Sequence, residues 1–342
     1  MNFLIFIAIK IAAALAIILT AVPLLVWMER KVSASFQRRI GPNRVGPWGI
    51  FQSIADAVKL FFKEKFIPTG ADPFIFLAAP VLMFLPGVIS FALIPMGEYE
   101  MNGERLILSV ADIDLGLIII MAISSLSSYG IAYAGWASSN QYALLGGIRS
   151  CAQLISYEIV MVLSVIAVVM MSGTLDLAQI VRLQMQPLPA LGFLPAWNVF
   201  HQPLTFLLFL IASFAETNRA PFDLPEAEQE LVGGYHTEYT GIRYAWFMLG
   251  EYAGLFTMSS LVVTLFFGGW SFPGIEYLTG PVFAVAGFVI FITKVILLIF
   301  FYMWVRWTLP RFRWDQLMHL GWHRLIPFGL FNVFLTAYLC LR

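Results

Sequence analysis

The sequence contains little cysteine and little histidine. Its 342 residues include 2 cysteines, Cys151 and Cys340, and 4 histidines. Iron–sulfur clusters need about four thiolates and disulfide scaffolds need dense cysteine pairs, so neither is expected here. His319 and His323 have i,i+4 spacing, but only Asp315 lies near them as an acid, so we expect no metal or haem there. The sequence therefore predicts a chain without a redox centre of its own.

Charge is also scarce. Only 12% of the residues are charged, about half the usual share, and 20 basic residues balance 20 acidic ones. Hydrophobic residues make up 60% of the chain. A soluble domain with this composition could not cover its surface with polar groups. The composition excludes a soluble globular enzyme, a disordered protein and a nucleic-acid binder, and it favours a protein embedded in lipid.

The apolar residues are concentrated in long runs. A membrane-spanning helix needs about 20 largely apolar residues, and irregular backbone is not stable in hydrocarbon. We expect an all-α polytopic membrane protein, with residues 1–342 forming a single integral membrane domain. The first run is too long for a removed signal peptide and lacks a small-residue cleavage site. The eight predicted spans are 3–27, 74–95, 115–136, 154–172, 199–218, 244–268, 282–307 and 325–341.

Basic residues are concentrated in alternate loops. Segment 28–73 carries Arg30, Lys31, Arg38, Arg39, Arg44, Lys59, Lys63 and Lys65, and segment 308–324 adds Arg311, Arg313 and Arg324. The opposite loops hold Arg105 and Arg182, with Arg342 at the end of the chain. Because basic loops stay in the cytoplasm, this pattern predicts a multi-pass protein with both termini in the periplasm.

The first basic loop contains a further helix pattern. Apolar residues recur at i, i+3, i+4 and i+7 from Phe51 to Phe62, and lysines line the other face. This pattern predicts an amphipathic helix over 48–63 in the membrane interface, either as part of a site or as a plain surface anchor. Gly41–Pro47, just before it, is rich in turn residues.

Three glutamates lie in or beside the predicted spans. An ionisable group at membrane depth costs about 2.5–3.5 kcal/mol and usually faces a cavity or a partner. Glu158 in span four, Glu216 at the end of span five and Glu251 in span six all fall in the cytoplasmic third. Because desolvation favours the neutral carboxyl, such groups can exchange protons near neutral pH. The set favours a proton path; the alternative is three unrelated acids, each capped by a neighbour.

Two more charged features stand out. Lys294 lies near the middle of span seven, where we expect it to face the bundle interior and pair with an acid, in a structural or a transport role. The loop 216–243 holds six acids with Arg219 and Arg243. An acidic loop on the cytoplasmic side would suit a basic partner surface, a proton-collecting funnel, or both.

These residues resemble one family. The chain is similar to the H subunit of NADH-quinone oxidoreductase, which corresponds to subunit 1 of mitochondrial NADH dehydrogenase (respiratory complex I). Eight motifs occur in the family order and spacing between residues 29 and 318. They are Glu29-Arg30-Lys31, Gly41–Pro47, Ala55–Leu60, Gly135–Ser138, Tyr142–Gly146, Ile155–Glu158, Ala215–Glu230 and Trp304–Met318.

The resemblance implies a role in proton-translocating quinone reduction. It implies quinone as substrate, and FMN and iron–sulfur clusters only in partner subunits. The implied partners are the quinone-site subunits of the hydrophilic arm, small membrane-arm subunits and membrane lipid. The implied quinone-tunnel residues are Glu29, Arg30, Arg39, Asp56, Arg219, Glu226, Glu228 and Arg306. The implied proton-path residues are Glu158, Glu216, Asp223, Glu251 and Lys294.

Other functions remain open at this point. The alternative is the homologous membrane subunit of a membrane-bound hydrogenase or of another donor's dehydrogenase, which differs mainly in its partners. A stand-alone cation/proton antiporter is disfavoured by the basic, rigid segment 28–65, and a passive anchor would not need acids at membrane depth. We expect location in a bacterial plasma membrane rather than a mitochondrial inner membrane.

Overall fold

The computed structural model describes residues 3–101, 104–187, 195–223, 232–275 and 280–341. These residues are mainly helical, as the apolar runs predict. One antiparallel hairpin interrupts the helices, with β1 (Glu98–Met101) paired to β2 (Glu104–Ile107) and Glu98 opposite Ile107. The helices are α1 (Phe3–Phe36), α2 (Gln52–Phe62), α3 (Pro73–Ala92), α4 (Gly116–Ser124), α5 (Leu126–Ala137), α6 (Gln141–Ser172), α7 (Leu177–Gln184), α8 (Asn198–His201), α9 (Pro203–Glu216), α10 (Ile242–Phe266), α11 (Pro281–Thr308), α12 (Trp314–His319) and α13 (Ile326–Cys340).

Six helical segments of the described chain are long and apolar enough to cross a membrane: most of α1, then α3, α4 with α5, α6, α10 and α11. The other two predicted spans are helical but shorter. α9 has 14 residues and α13 has 15, although α13 continues directly from a π-helical turn at Leu320–Leu325. The all-α polytopic prediction is confirmed.

The predicted limits of span five were wrong. Gln202 leaves the helical conformation between α8 and α9, and Pro203 starts α9 because proline suits the first helical position. The helix ends at Glu216, before the predicted limit at residue 218, since Asn218 has a left-handed φ of 49°. Glu216 is therefore the last residue of a short helix.

The fourth predicted span is part of a longer helix. α6 starts at Gln141, well before the apolar run at 154, because the side chain of Asn140 accepts a hydrogen bond from the backbone N–H of Tyr142 at 2.9 Å. Its 32 residues make it about 48 Å long, which exceeds the roughly 30 Å hydrocarbon core. Glu158 accordingly lies near the middle of this helix.

The core forms around α10. In the most apolar stretch of α10, 83% of the residues are buried inside the protein, whereas only 22% are buried in the corresponding stretches of α1 and α11. α10 is thus the central helix, and α1 and α11 leave most of their apolar side chains exposed on the surface of this chain. α3 approaches α10 closely at Gly250, where a β-carbon would lie 3.2 Å from the backbone of Met83. This contact fixes the height of Glu251, the next residue.

Within the predicted amphipathic segment 48–63, the structure has the helix α2 from Gln52 to Phe62, preceded by a 3-10 turn at Pro47–Gly49. It lies along α1, with Ser53 donating to the carbonyl of Pro23 at 2.8 Å. Phe61 and Phe62 are exposed, as expected of a face that meets lipid.

Candidate functional site

A buried charge network joins four segments: α1, the turn after α9, α10 and α11. Arg219 donates to both carboxylate oxygens of Glu29 on α1, at 3.0 and 2.9 Å. Tyr252 on α10 donates to Oε2 of Glu29 at 2.9 Å, and Arg306 on α11 forms a further ion pair with the same carboxylate. Glu29 is 7% exposed and Arg219 is 6% exposed. A buried carboxylate with this many donors is well satisfied, as burial of a charge requires.

Arg219 also reaches the next acid. Its Nε lies 3.4 Å from Oε1 of Glu251, and its guanidinium packs over the ring of Tyr252, 4.6 Å from the centroid. The turn after α9 brings Arg219 to this position, because the backbone N–H of Arg219 donates a hydrogen bond to the carbonyl of Phe214 at 3.2 Å. One arginine thus holds two carboxylates, and with Arg306 the positive and negative charges of the network balance.

Glu251 also faces a cavity, which has a volume of about 60 Å³. Glu216 lines the same cavity from the end of α9. A volume of this size holds a few water molecules, and polar side chains are available to bind them. The polar lining residues are Ser90, Ser124, Ser127, Glu216, Thr217, Asn218, Glu251 and Thr257.

Glu158 lies beside this cavity rather than in its wall. Its carboxyl faces Ser125, at the break between α4 and α5, and it interacts electrostatically with Glu216. Within the described chain, no basic side chain forms an ion pair with Glu216. The three predicted membrane acids are therefore neighbours: Glu216 and Glu251 share a cavity, and Glu158 adjoins Glu216.

A second ion pair links α1 to the amphipathic helix. Arg30 pairs with Asp56 on α2, and Gln52 donates to Oδ1 of Asp56 at 2.9 Å. Partial burial alone would raise the pKa of Asp56, but the hydrogen bond and charge of Arg30 hold it below its usual value. Arg30 directly follows Glu29, so this pair lies beside the buried network.

Asp223 belongs to a separate contact. Arg311 donates to its Oδ2 at 2.8 Å, while its Oδ1 is buried without a hydrogen-bond partner among the described residues. Burial raises the pKa of Asp223 above its usual value, against the opposing charge of Arg311. Asp223 does not line the cavity, so it is set apart from the other acids predicted for a proton path.

Among the described residues, Lys294 has backbone carbonyls as its hydrogen-bond partners and not the predicted acid. Its ammonium donates to three backbone carbonyls, those of Phe267 at 2.7 Å, Gly269 at 2.9 Å and Ser271 at 2.5 Å. These carbonyls belong to the loop that follows α10, and buried backbone carbonyls need hydrogen-bond donors. Loop carbonyls therefore take the place of the expected carboxylate.

The remaining predicted residues are placed as follows. Arg39 is exposed and donates to Gln37 at 2.6 Å, away from the buried network. Glu226 and Glu228 lie outside the described residues. His319 and His323 stack with ring centroids 4.5 Å apart, and among the described residues no group of three potential ligands is suited to a metal ion.

Sequence reasoning missed the contribution of Tyr252 and of the short polar residues around the cavity. Tyr252 donates to Glu29 and packs on Arg219. Its position directly after Glu251 was a signal, because adjacent residues on a buried helix can serve one cluster. Thr257, one and a half turns further along α10, donates to the carbonyl of Gly87 at 2.9 Å and had no comparable signal.

Taken together, the helices and the buried charges define a polytopic α-helical membrane protein with an ionisable interior site. The family model described as NADH dehydrogenase matches residues 9–337. The chain belongs to this NADH dehydrogenase family.

Similar curated proteins agree with that assignment. An NADH-quinone oxidoreductase H subunit of Cytophaga hutchinsonii is 46% identical over 314 residues, covering 91% of this chain and 90% of that protein. The NADH-quinone oxidoreductase H subunit of Protochlamydia amoebophila is 47% identical over 323 residues, covering 94% of each. NADH-quinone oxidoreductase subunit 8 of Rhodothermus marinus is 47% identical over 332 residues, covering 94% of this chain and 93% of that protein.

Proposed function

We propose that this chain is a membrane subunit of a proton-translocating NADH:quinone oxidoreductase. In this proposal it forms the membrane side of the quinone tunnel and the tunnel's entrance from lipid. It also links quinone reduction to proton movement. The iron–sulfur clusters and FMN reside in partner subunits, and the chain lies in a bacterial plasma membrane with both termini in the periplasm.

The observation that carries this proposal is the double position of Glu251. Its carboxylate pairs with Arg219, which also holds Glu29, and it lines the cavity that contains Glu216. An electrostatic change at Glu29 or Arg306 therefore reaches Glu251 through one shared arginine. From Glu251, the polar cavity leads to Glu216.

The chemistry of a quinone fits these surroundings. A quinone has an apolar tail and a headgroup that takes up two electrons and two protons. Exposed Phe61 and Phe62 of α2 supply an apolar mouth, and the Arg30–Asp56 pair supplies polar groups just inside it. Negative charge that develops on the headgroup competes with Glu29 for Arg306 and Arg219. As Arg219 shifts toward the headgroup, Glu251 loses a counter-charge and takes up a proton. Protons then move between Glu251 and Glu216 through the cavity that both residues line.

The proposal is tested by Glu216→Gln in the assembled complex, reconstituted in vesicles. We expect NADH to reduce quinone in the variant with much less proton translocation per electron, because glutamine cannot release a proton. Normal pumping by the variant would contradict the proposal.

Glu98→Gln is a matched control. Glu98 is also a buried glutamate, paired with Arg182 at 3.0 Å, but it lies in the hairpin and outside both the network and the cavity. This variant should keep the wild-type ratio of protons to electrons. Purification with NADH-binding partner subunits supports the proposed complex, whereas purification with a nickel-site subunit would identify the hydrogenase alternative.

A further inference from the structure

Gln153 on α6 is completely buried and lies between α6 and the segment that follows α9. It is 0% exposed. Its side-chain Nε2 donates to the carbonyl of Ala215 at 3.1 Å and to the carbonyl of Phe222 at 2.8 Å, and it lies 3.5 Å from Oδ1 of Asn218. The two N–H groups of one amide are thus used on two carbonyls seven residues apart.

The positions of these two carbonyls matter. Ala215 directly precedes Glu216, and Phe222 directly precedes Asp223. Between them lies Arg219, which holds Glu29 and Glu251. By fixing both ends of this segment, a single amide sets where Glu216, Arg219 and Asp223 stand relative to Glu158, which lies on the same helix as Gln153.

We propose that Gln153 is a positioning residue for proton transfer, which holds the segment 215–222 so that Glu216 faces the cavity while Arg219 reaches Glu29 and Glu251. It does not itself carry protons. The inference rests on the proposed function, since it assigns Gln153 a part in that same site.

The side-chain amide suits this geometry. Both carbonyls are acceptors, so the side chain between them must offer two donors. A glutamate has nearly the same shape, but it offers one O–H when protonated and none when ionised. Gln153→Glu can therefore keep one of the two hydrogen bonds while its carboxyl is protonated, and it loses that bond when the carboxyl ionises as pH rises. The charged groups near it are Glu158, Glu216, Asp223, Arg219 and Arg311.

The test measures quinone reduction and proton translocation by the Gln153→Glu complex from pH 6 to pH 8. We expect proton translocation by Gln153→Glu to be about tenfold lower at pH 8 than at pH 6, because ionisation removes the one hydrogen bond that the protonated carboxyl can still donate, and a buried hydrogen bond is worth about one order of magnitude. Each variant is compared with itself across pH, so differences in the amount of assembled complex cancel. Gln153→Leu, which has no donor at any pH, should be impaired throughout that range.

Gln202→Glu is the matched control. Gln202 is likewise a buried glutamine whose Nε2 donates to a backbone carbonyl, that of Ala167 at 3.0 Å, and whose Oε1 is buried without a partner among the described residues. It lies at the start of α9, at the other end from Glu216. Its variant should keep the wild-type pH profile.

The outcomes separate the two proposals. If wild type pumps protons and Gln153→Glu follows the same pH profile as wild type and Gln202→Glu, the positioning role is refuted. If both glutamate variants shift alike, the effect is general to buried glutamines and the inference fails as well. If wild type itself reduces no quinone, or does so without proton translocation, the proposed function fails.

Discussion

Removal of Arg219 should destabilise the protein more than the loss of any exposed arginine. Arg219 is 6% exposed, donates hydrogen bonds to Glu29 at 2.9 and 3.0 Å, and forms an ion pair with Glu251 at 3.4 Å. In Arg219→Met, Glu29 keeps Arg306 but loses its buried partner, and Glu251 loses this ion pair. Breaking a buried pair by removing one partner costs about 3–5 kcal/mol, and the near-complete burial of Arg219 leaves little solvent to compensate.

The measurement is the midpoint of thermal inactivation of the purified complex, together with its quinone reductase activity. We expect a clearly lower midpoint and a large loss of activity for Arg219→Met. Adding Glu29→Gln should recover part of the loss in the midpoint, because it removes one of the two carboxylates left behind. The double variant should therefore lose less stability than the sum of the two single variants.

Arg313→Met is the control for this experiment. Arg313 pairs with Asp315 at 2.7 Å, but both side chains are exposed, so the pair should contribute nothing measurable to the midpoint. An Arg219→Met complex as stable as the control would refute the buried network. Strict additivity of Arg219→Met and Glu29→Gln would show that the two side chains do not interact.

Three further predictions concern single residues. Lys294→Met should lower the thermal midpoint with an unchanged ratio of protons to electrons, because it removes three hydrogen bonds from a charged donor, each worth about 1.5–3 kcal/mol. An unchanged midpoint with a lower ratio would instead indicate a transport role. Burial lowers the pKa of His236 to about 4, whereas in the unfolded chain its pKa is about 6.5. The wild-type protein should therefore lose stability as the pH falls from about 6.5 to about 4, because only the unfolded chain binds the proton there. His236→Phe should lose less stability over the same pH range. Asp56→Asn should weaken the attachment of α2 to α1 by about 0.5–1 kcal/mol, since the Arg30–Asp56 pair is partly exposed. Hydrogen exchange should become faster in α2 and not in α3. Equal exchange in wild type and variant would rule out the Arg30 contact.

The helices could be predicted from the sequence because the signals for them are local. A run of apolar residues is enough to indicate a membrane helix, and the period of Phe51 to Phe62 is enough to indicate α2. The residues at which the helices begin and end were harder to predict from the sequence. α9 ends at Glu216 through the left-handed backbone of Asn218, and α6 extends back to Asn140 through a cap, so hydrophobicity misplaced both limits.

The charged residues could be selected from the sequence, but their partners could not. Depth arguments identified Glu216 and Glu251, which line one cavity, yet nothing in the sequence indicates that Arg219 bonds Glu29, 190 positions away. Lys294 illustrates the same limit. A search for its partner among acids overlooks the backbone carbonyls of the loop after α10, because every residue type has a backbone carbonyl.

The central claim is that Glu216 and Glu251 face one hydrated cavity that Arg219 connects to Glu29. An experimental density map of the assembled complex, fine enough to show ordered water, tests it most directly. We predict water density between the carboxyl groups of Glu216 and Glu251, with the Arg219 guanidinium between Glu251 and Glu29. Side chains that point apart, with packed apolar groups and no water between them, would contradict the account.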